Sequence, residues 1–195
     1  MSRKIIFDAI RSVKGRIDTA DVPVIDAALD KIGIPKDGEE PTSADPIPPR
    51  YFTLLAKIES GNRPYIKAGS SSASGLYQFI KSTWQGEGGS WGANSSAAFG
   101  GMMPSEAEQT QRARSFTMKN VAALQKAGVA VNSASLYACH FFGPSTAIKV
   151  LKAAEQERAD ILAGPAATNA NPSILRGKTV GQFKDWLEKK TGTTP

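Results

Sequence analysis

Apolar residues recur along most of this chain at the three- and four-residue spacing of a helix, and nowhere in a regular series of strand-like alternations. Ile5, Ile6, Ala9, Ile10 and Val13 fall on one face, and Gly15 stops the run. Thr19 then reads as the N-cap of "ADVPVIDAALDKIG", with Val22, Ile25, Leu29 and Ile32 on one side and Gly33 at the end. These segments predict a small helical hairpin over residues 1–34. Residues 35–49, "PKDGEEPTSADPIPP", are rich in proline and acid and predict an extended linker.

Helical signals resume in a main domain over residues 50–195. In "RYFTLLAKIE" the residues Tyr51, Phe52, Leu55 and Ile58 share a stripe that "ESGN" ends. Glycine and serine dominate 69–75 and 86–101, which predicts a loop and a long surface segment. Ser105 with Glu108 predicts a capping box that opens a helix closed by Gly128, with Ala113, Phe116 and Leu124 inward. Ser133 or Ser135 starts "LYACHFF", and Gly143-Pro144 punctuates. "STAIKVLKAAEQERADIL" continues as helix, and "VGQFKDWLEKK" follows Thr179. The expected fold is all-α or nearly so, without internal repeats.

Composition narrows the function classes. The chain has 195 residues, 41% hydrophobic and 22% charged, which suits one main domain with a small appendage. Its net charge of +6 favours an anionic partner: nucleic acid, a membrane surface or a wall polymer. Cys139 and His140 are the only residues of their kinds, so neither a disulfide framework nor a Cys/His zinc cluster is expected. A Cys139 nucleophile served by His140 is disfavoured too, because adjacent helical residues point about 100° apart. The opening "MSRKIIFDAIRSVKGR" lacks the uninterrupted apolar core and cleavage site of a signal peptide, and no window approaches the roughly 20 apolar residues of a membrane span. The expectation is a protein made in a cytoplasm and carried outward by other means.

Glu59 stands out. Leu55 lies one turn before it and Phe52 two turns, so a carboxylate closes an apolar stripe at a helix C-terminus. Desolvation and the negative end of the helix dipole both raise its pKa, and nearby Lys57 or Arg63 would oppose them. A carboxyl that keeps its proton is what a general acid needs. An exposed glutamate that solvates its helix end is the plain alternative.

The residues around Glu59 form a pattern. "ESGNRP", and after a serine-rich loop "SASGLYQFIKSTW", resemble the motif of the soluble lytic transglycosylases of the lysozyme-like superfamily. The matching positions are Glu59, Ser60, Asn62, Pro64, Ala73, Gly75, Leu76, Gln78, Ser82, Thr83 and Trp84. "HFFGPSTAIKVL" looks like the family's Tyr-Asn-Ala-Gly-Pro helix start, and "ANPSIL" with "TVGQFKDW" is similar to the tail of phage-type members. The resemblance spans about Arg50 to Trp186 and rests on three ordered motifs. The departures are Tyr77 at the family's Met, Lys81 at its Pro, and His140-Phe141 at its Tyr-Asn, which leaves open whether Tyr137 or His140 assists Glu59.

The resemblance implies a phage endolysin or virion-associated lysin that cleaves the bond between N-acetylmuramic acid and N-acetylglucosamine in peptidoglycan. It would act as a monomer in the periplasm after release through a holin or delivery by a virion, without metal or cofactor. Glu59 would be catalytic, with Ser60, Ser74, Tyr77, Gln78, Tyr137 and His140 on the substrate. Serines beside glycine also mark ordinary loops, Tyr77 also suits a core, and His140 suits a buried structural role equally well. Ordinary glycosidases use two carboxyls about 5–9.5 Å apart, yet between Arg50 and Gly101 only Glu59 and Glu87 are acidic. That scarcity fits a one-carboxylate transglycosylase, while Glu87, Glu106 or Glu108 near Glu59 would make a hydrolytic muramidase. A non-catalytic wall-binding protein on the same fold is a further reading. Nucleic-acid binding rests on charge alone and is not expected. Arg3, Lys4, Arg11, Lys14 and Arg16 make the first helix basic, suited either to an anionic outer-membrane or lipopolysaccharide surface or to simple solvation.

Overall fold

The computed structural model describes residues 3–31 and 45–195. The chain divides into two compact units, Met1–Pro46 and Ile47–Pro195. The predicted stop at Gly33, most of the linker and the side chain of Ile5 lie outside the described residues.

The first unit holds helices α1 (Arg3–Lys14) and α2 (Val22–Lys31). Gly15, at φ 79°, ends α1 by returning its N–H to the Arg11 carbonyl at 2.8 Å. Thr19 does not cap α2. Asp21 precedes the first helical residue and is held in a turn by its N–H on the Asp18 carbonyl. Arg3 is buried and bridges the two helices through Asp26 at 2.8 Å, whereas Val13, assigned to the apolar face by spacing, is 86% exposed. Arg11 and Arg16 are paired with Asp8 and Asp18, so carboxylates partly neutralise the basic face.

The second unit is all-α. Its helices are α3 (Tyr51–Ser60), α4 (Lys81–Gly86), α5 (Glu106–Lys126), α6 (Ser133–Phe142), α7 (Pro144–Lys152), α8 (Ala159–Ala163), α9 (Pro165–Ala170), α10 (Pro172–Leu175) and α11 (Val180–Thr191). Among the described residues extended pairing is limited to isolated bridges, such as Lys67 with Ser74 and Ser74 with Phe79. Helix α6 is the central element. Every residue from Ser133 to Cys139 is buried, as befits a helix with little polar surface, and α5, α7 and α11 pack around it. An Asn132–Ser135 capping box starts α6, and a Thr179–Gln182 box starts α11. At α5 only half the expected box forms. Ser105 accepts the Glu108 N–H, but the Glu108 carboxylate turns to Arg112 at 2.7 Å.

Two expectations fail for tertiary reasons. The helix predicted from Ser145 onward breaks at Ala153, because the carbonyls of Glu155 and Glu157 instead accept the N–H groups of Gly181 and Val180 at the start of α11. The segment 86–101 is not a plain surface loop: Phe99 is buried against Trp84 and Trp91, and Gly92 and Asn94 donate to the Phe99 and Gly100 carbonyls.

Candidate active site

The end of α3 shows why "ESGNR" has that sequence. Gly61 takes a left-handed φ of 60°, and the N–H groups of Gly61 and Asn62 return to the Lys57 and Ala56 carbonyls at 3.2 Å. The buried Ser60 hydroxyl donates to the Ala56 carbonyl at 2.9 Å and accepts the Arg63 N–H, while Arg63 Nε donates to the Ser60 carbonyl at 2.8 Å. The terminus locks itself, so Glu59, one residue before it, leaves the helix from fixed backbone.

Glu59 lines a groove of about 870 Å³, a volume suited to a substantial ligand. Gln78, Tyr137, His140, Trp186 and Lys190 line it too, as do Phe116 and Phe141. The Glu59 side chain is 19% exposed. Burial raises its pKa above the ordinary carboxylate range, opposed by the nearby Tyr137 hydroxyl and by the charge of Lys190. The opposing cation is therefore supplied by α11, not by Lys57 or Arg63.

Tyr137 and His140 both come from α6, three residues apart on one face, and their rings stack at 6.4 Å. The Tyr137 pKa is raised, first by burial and then by the nearby Glu59 charge. Its hydroxyl thus stays a donor. His140 lies among Phe79, Phe116 and Tyr137 with only 10% of its side chain exposed. Burial pushes its pKa down to about 4, against the opposing pull of the Tyr77 carbonyl. Its Nε2 stands 3.9 Å from Glu59 Oε1, so near neutral pH the contact is between a carboxyl and an uncharged imidazole rather than an ion pair.

Gln78 reaches the groove by an unusual backbone. Its φ is 49°, a region that a residue with a side chain occupies only when its surroundings enforce it. Its Nε2 donates to the Gly75 carbonyl at 2.9 Å and to the Ile66 carbonyl at 3.4 Å, which leaves Oε1 without a partner in the chain. A side chain on Gly75 would run into Phe99 and Gln109, so that turn needs glycine. Behind it the buried Gln109 accepts the Leu76 N–H at 2.9 Å and donates to the Pro64 and Pro104 carbonyls, tying both ends of the Gln78 loop to α5.

The structure thus gathers Glu59, Gln78, Tyr137 and His140, but not the other three residues assigned to substrate. Ser60 is buried in the helix terminus. Ser74 is buried too, donating to the Ser72 carbonyl at 2.9 Å and accepting the Phe99 N–H at 3.1 Å. Tyr77 is a core ring whose hydroxyl is bonded to Thr110 at 2.9 Å. Glu87 is not a free loop charge: Lys119 and Ser115 each hold its carboxylate at 2.7 Å against α5. Among the described residues Glu59 is the only carboxylate lining the groove. Sequence reading missed Lys190 and Trp186 as site residues, although their four-residue spacing in α11 puts them on one face.

Among the described residues no three or more His, Cys, Asp or Glu gather as a metal site. In comparison with known proteins, no family model matches the chain and no curated protein matches it.

Proposed function

We propose that the chain is a peptidoglycan-cleaving enzyme of the lytic transglycosylase type, with a lysozyme-like main domain and Glu59 as its acid and base. The observation that carries this reading is a desolvated carboxyl in a large groove beside a phenol, an amide and an ammonium, with no second carboxylate in the lining among the described residues.

The chemistry follows from that set. Glu59, protonated, donates to the oxygen bridging N-acetylmuramic acid and N-acetylglucosamine, and the bond from the muramic C1 to that oxygen breaks. Positive charge builds at C1 as Glu59 becomes a carboxylate. Tyr137 and Lys190 stabilise that carboxylate, and so limit how far burial raises the pKa. The C6 hydroxyl of the same muramic residue then attacks C1, loses its proton to Glu59 and closes a 1,6-anhydro ring. The acid is restored without water. Gln78 Oε1 offers an acceptor for a sugar hydroxyl or acetamide N–H.

Mass spectrometry of muropeptides released from purified sacculi tests the reading. The wild type yields 1,6-anhydro ends, and Glu59→Gln lowers the rate by about 10²–10⁴-fold, the usual contribution of a positioned acid. Reducing ends would instead identify a hydrolytic muramidase. Binding without cleavage by the wild type would leave only a wall-binding protein.

A further inference from the structure

The α11 face that supplies the groove also serves a second cavity. Gln182, Asp185, Trp186 and Lys189, spaced as one helical stripe, line a hollow of about 280 Å³ that is completed by Lys178 and Ile174. Trp186 and Ile174 line the Glu59 groove as well, so the two spaces adjoin. Lys178, Lys189 and Asp185 are exposed and make no ion pair or side-chain hydrogen bond among the described residues, so their charges are uncommitted within the chain. Unpaired charges of both signs thus face one small cavity.

We propose that this second cavity receives the peptide branch of the glycan strand, with Lys178 and Lys189 on its carboxylates and Asp185 on the ammonium of a diamino residue. The inference rests on the peptidoglycan reading above. A groove that holds a polymer needs an outlet for side branches, and Trp186 and Ile174 border both the groove and the hollow. The sugars carry hydroxyls and acetamides, while the branch carries free charges of both signs. The Gln78 amide in the groove suits the former, and Lys178, Lys189 and Asp185 in the hollow suit the latter.

The test is a titration of the full-length, ¹⁵N-labelled protein with a free stem tetrapeptide containing a diamino acid. Three tryptophans give three indole N–H signals, and Trp186→Phe identifies the relevant one. The expected result is a saturable shift of the Trp186 indole with Trp84 unmoved. Lys178→Ala/Lys189→Ala weakens binding about tenfold, the scale of two partly exposed ion pairs. Asp185→Asn weakens binding of the diamino peptide but not of one with a neutral residue in that place. In parallel, wild-type kcat/KM is higher on peptide-bearing strands than on amidase-stripped strands, and the double lysine variant narrows that ratio. An unmoved Trp186 signal at saturating peptide, or affinity unchanged by all these variants, overturns the inference. If Trp186 responds as expected while neither polymer is cleaved, the enzymatic reading fails and the peptide site stands. If both polymers are cleaved equally and Trp186 is silent, the reverse holds.

Discussion

Acidification should destabilise the main domain through one side chain. His140 is packed among Phe79, Phe116 and Tyr137, and its pKa falls from 6.5 to about 4. The groups that face it are the Glu59 carboxyl, the Tyr137 ring and the Tyr77 carbonyl. Because the unfolded chain binds this proton more readily than the folded one, the stability that neutral His140 confers is present above pH 6.5 and is lost as pH falls towards 4. At about 1.4 kcal/mol for each pH unit, the full loss is about 3 kcal/mol. His140 is the only histidine, so its ring proton signals can be followed by NMR without ambiguity. Urea unfolding at pH 7, 5.5 and 4 should show the wild type losing stability relative to His140→Gln as pH falls, a comparison in which the opposite contribution of Glu59 cancels. An imidazole signal that titrates near 6.5 in the folded protein would refute the argument, since an ordinary value leaves no desolvation to drive the effect.

Two further outcomes follow from the same geometry. Because the folded protein holds the Glu59 proton more tightly than the unfolded chain, stability falls as pH rises from about 4.5 towards the raised value. Glu59→Gln should therefore have a higher thermal midpoint than the wild type at pH 7, a difference that vanishes below pH 4.5 in a calorimetric series. Gln109→Leu leaves the Leu76 N–H and two proline carbonyls without their partner, a loss of about 2–5 kcal/mol. Chemical denaturation should register that loss, and hydrogen exchange at Leu76 should accelerate. A variant as stable as the wild type would show that the glutamine does not hold the loop.

Local chemistry made much of this legible in the sequence. The stops at Gly15 and Gly128, the Thr179 cap, and the helix that carries Glu59 follow from turn and cap residues acting within a few positions of themselves. What sequence reading missed depends on partners distant along the chain. The break at Ala153 is made by N–H groups at Val180 and Gly181. Glu87 looked like a loose loop acid because its cation, Lys119, is 32 residues away. The same holds at the site: Glu59, Tyr137 and Gln78 were readable from motif and helical spacing, while Lys190 acts on Glu59 only because α11 packs on α6. Ser74 and Tyr77 were assigned to the ligand because their types can bind one. Phe99 and Thr110 claim them instead.

The burial of α6 from Ser133 to Cys139 has a mechanical consequence. Tyr137 projects from a rod packed between α5, α7 and α11, and Glu59 from a helix end that is fastened to itself. Neither can follow an incoming ligand. On the proposed reading, whatever reshaping precedes bond breaking must be borne by the sugar ring, so the protein behaves as an anvil rather than a closing hand.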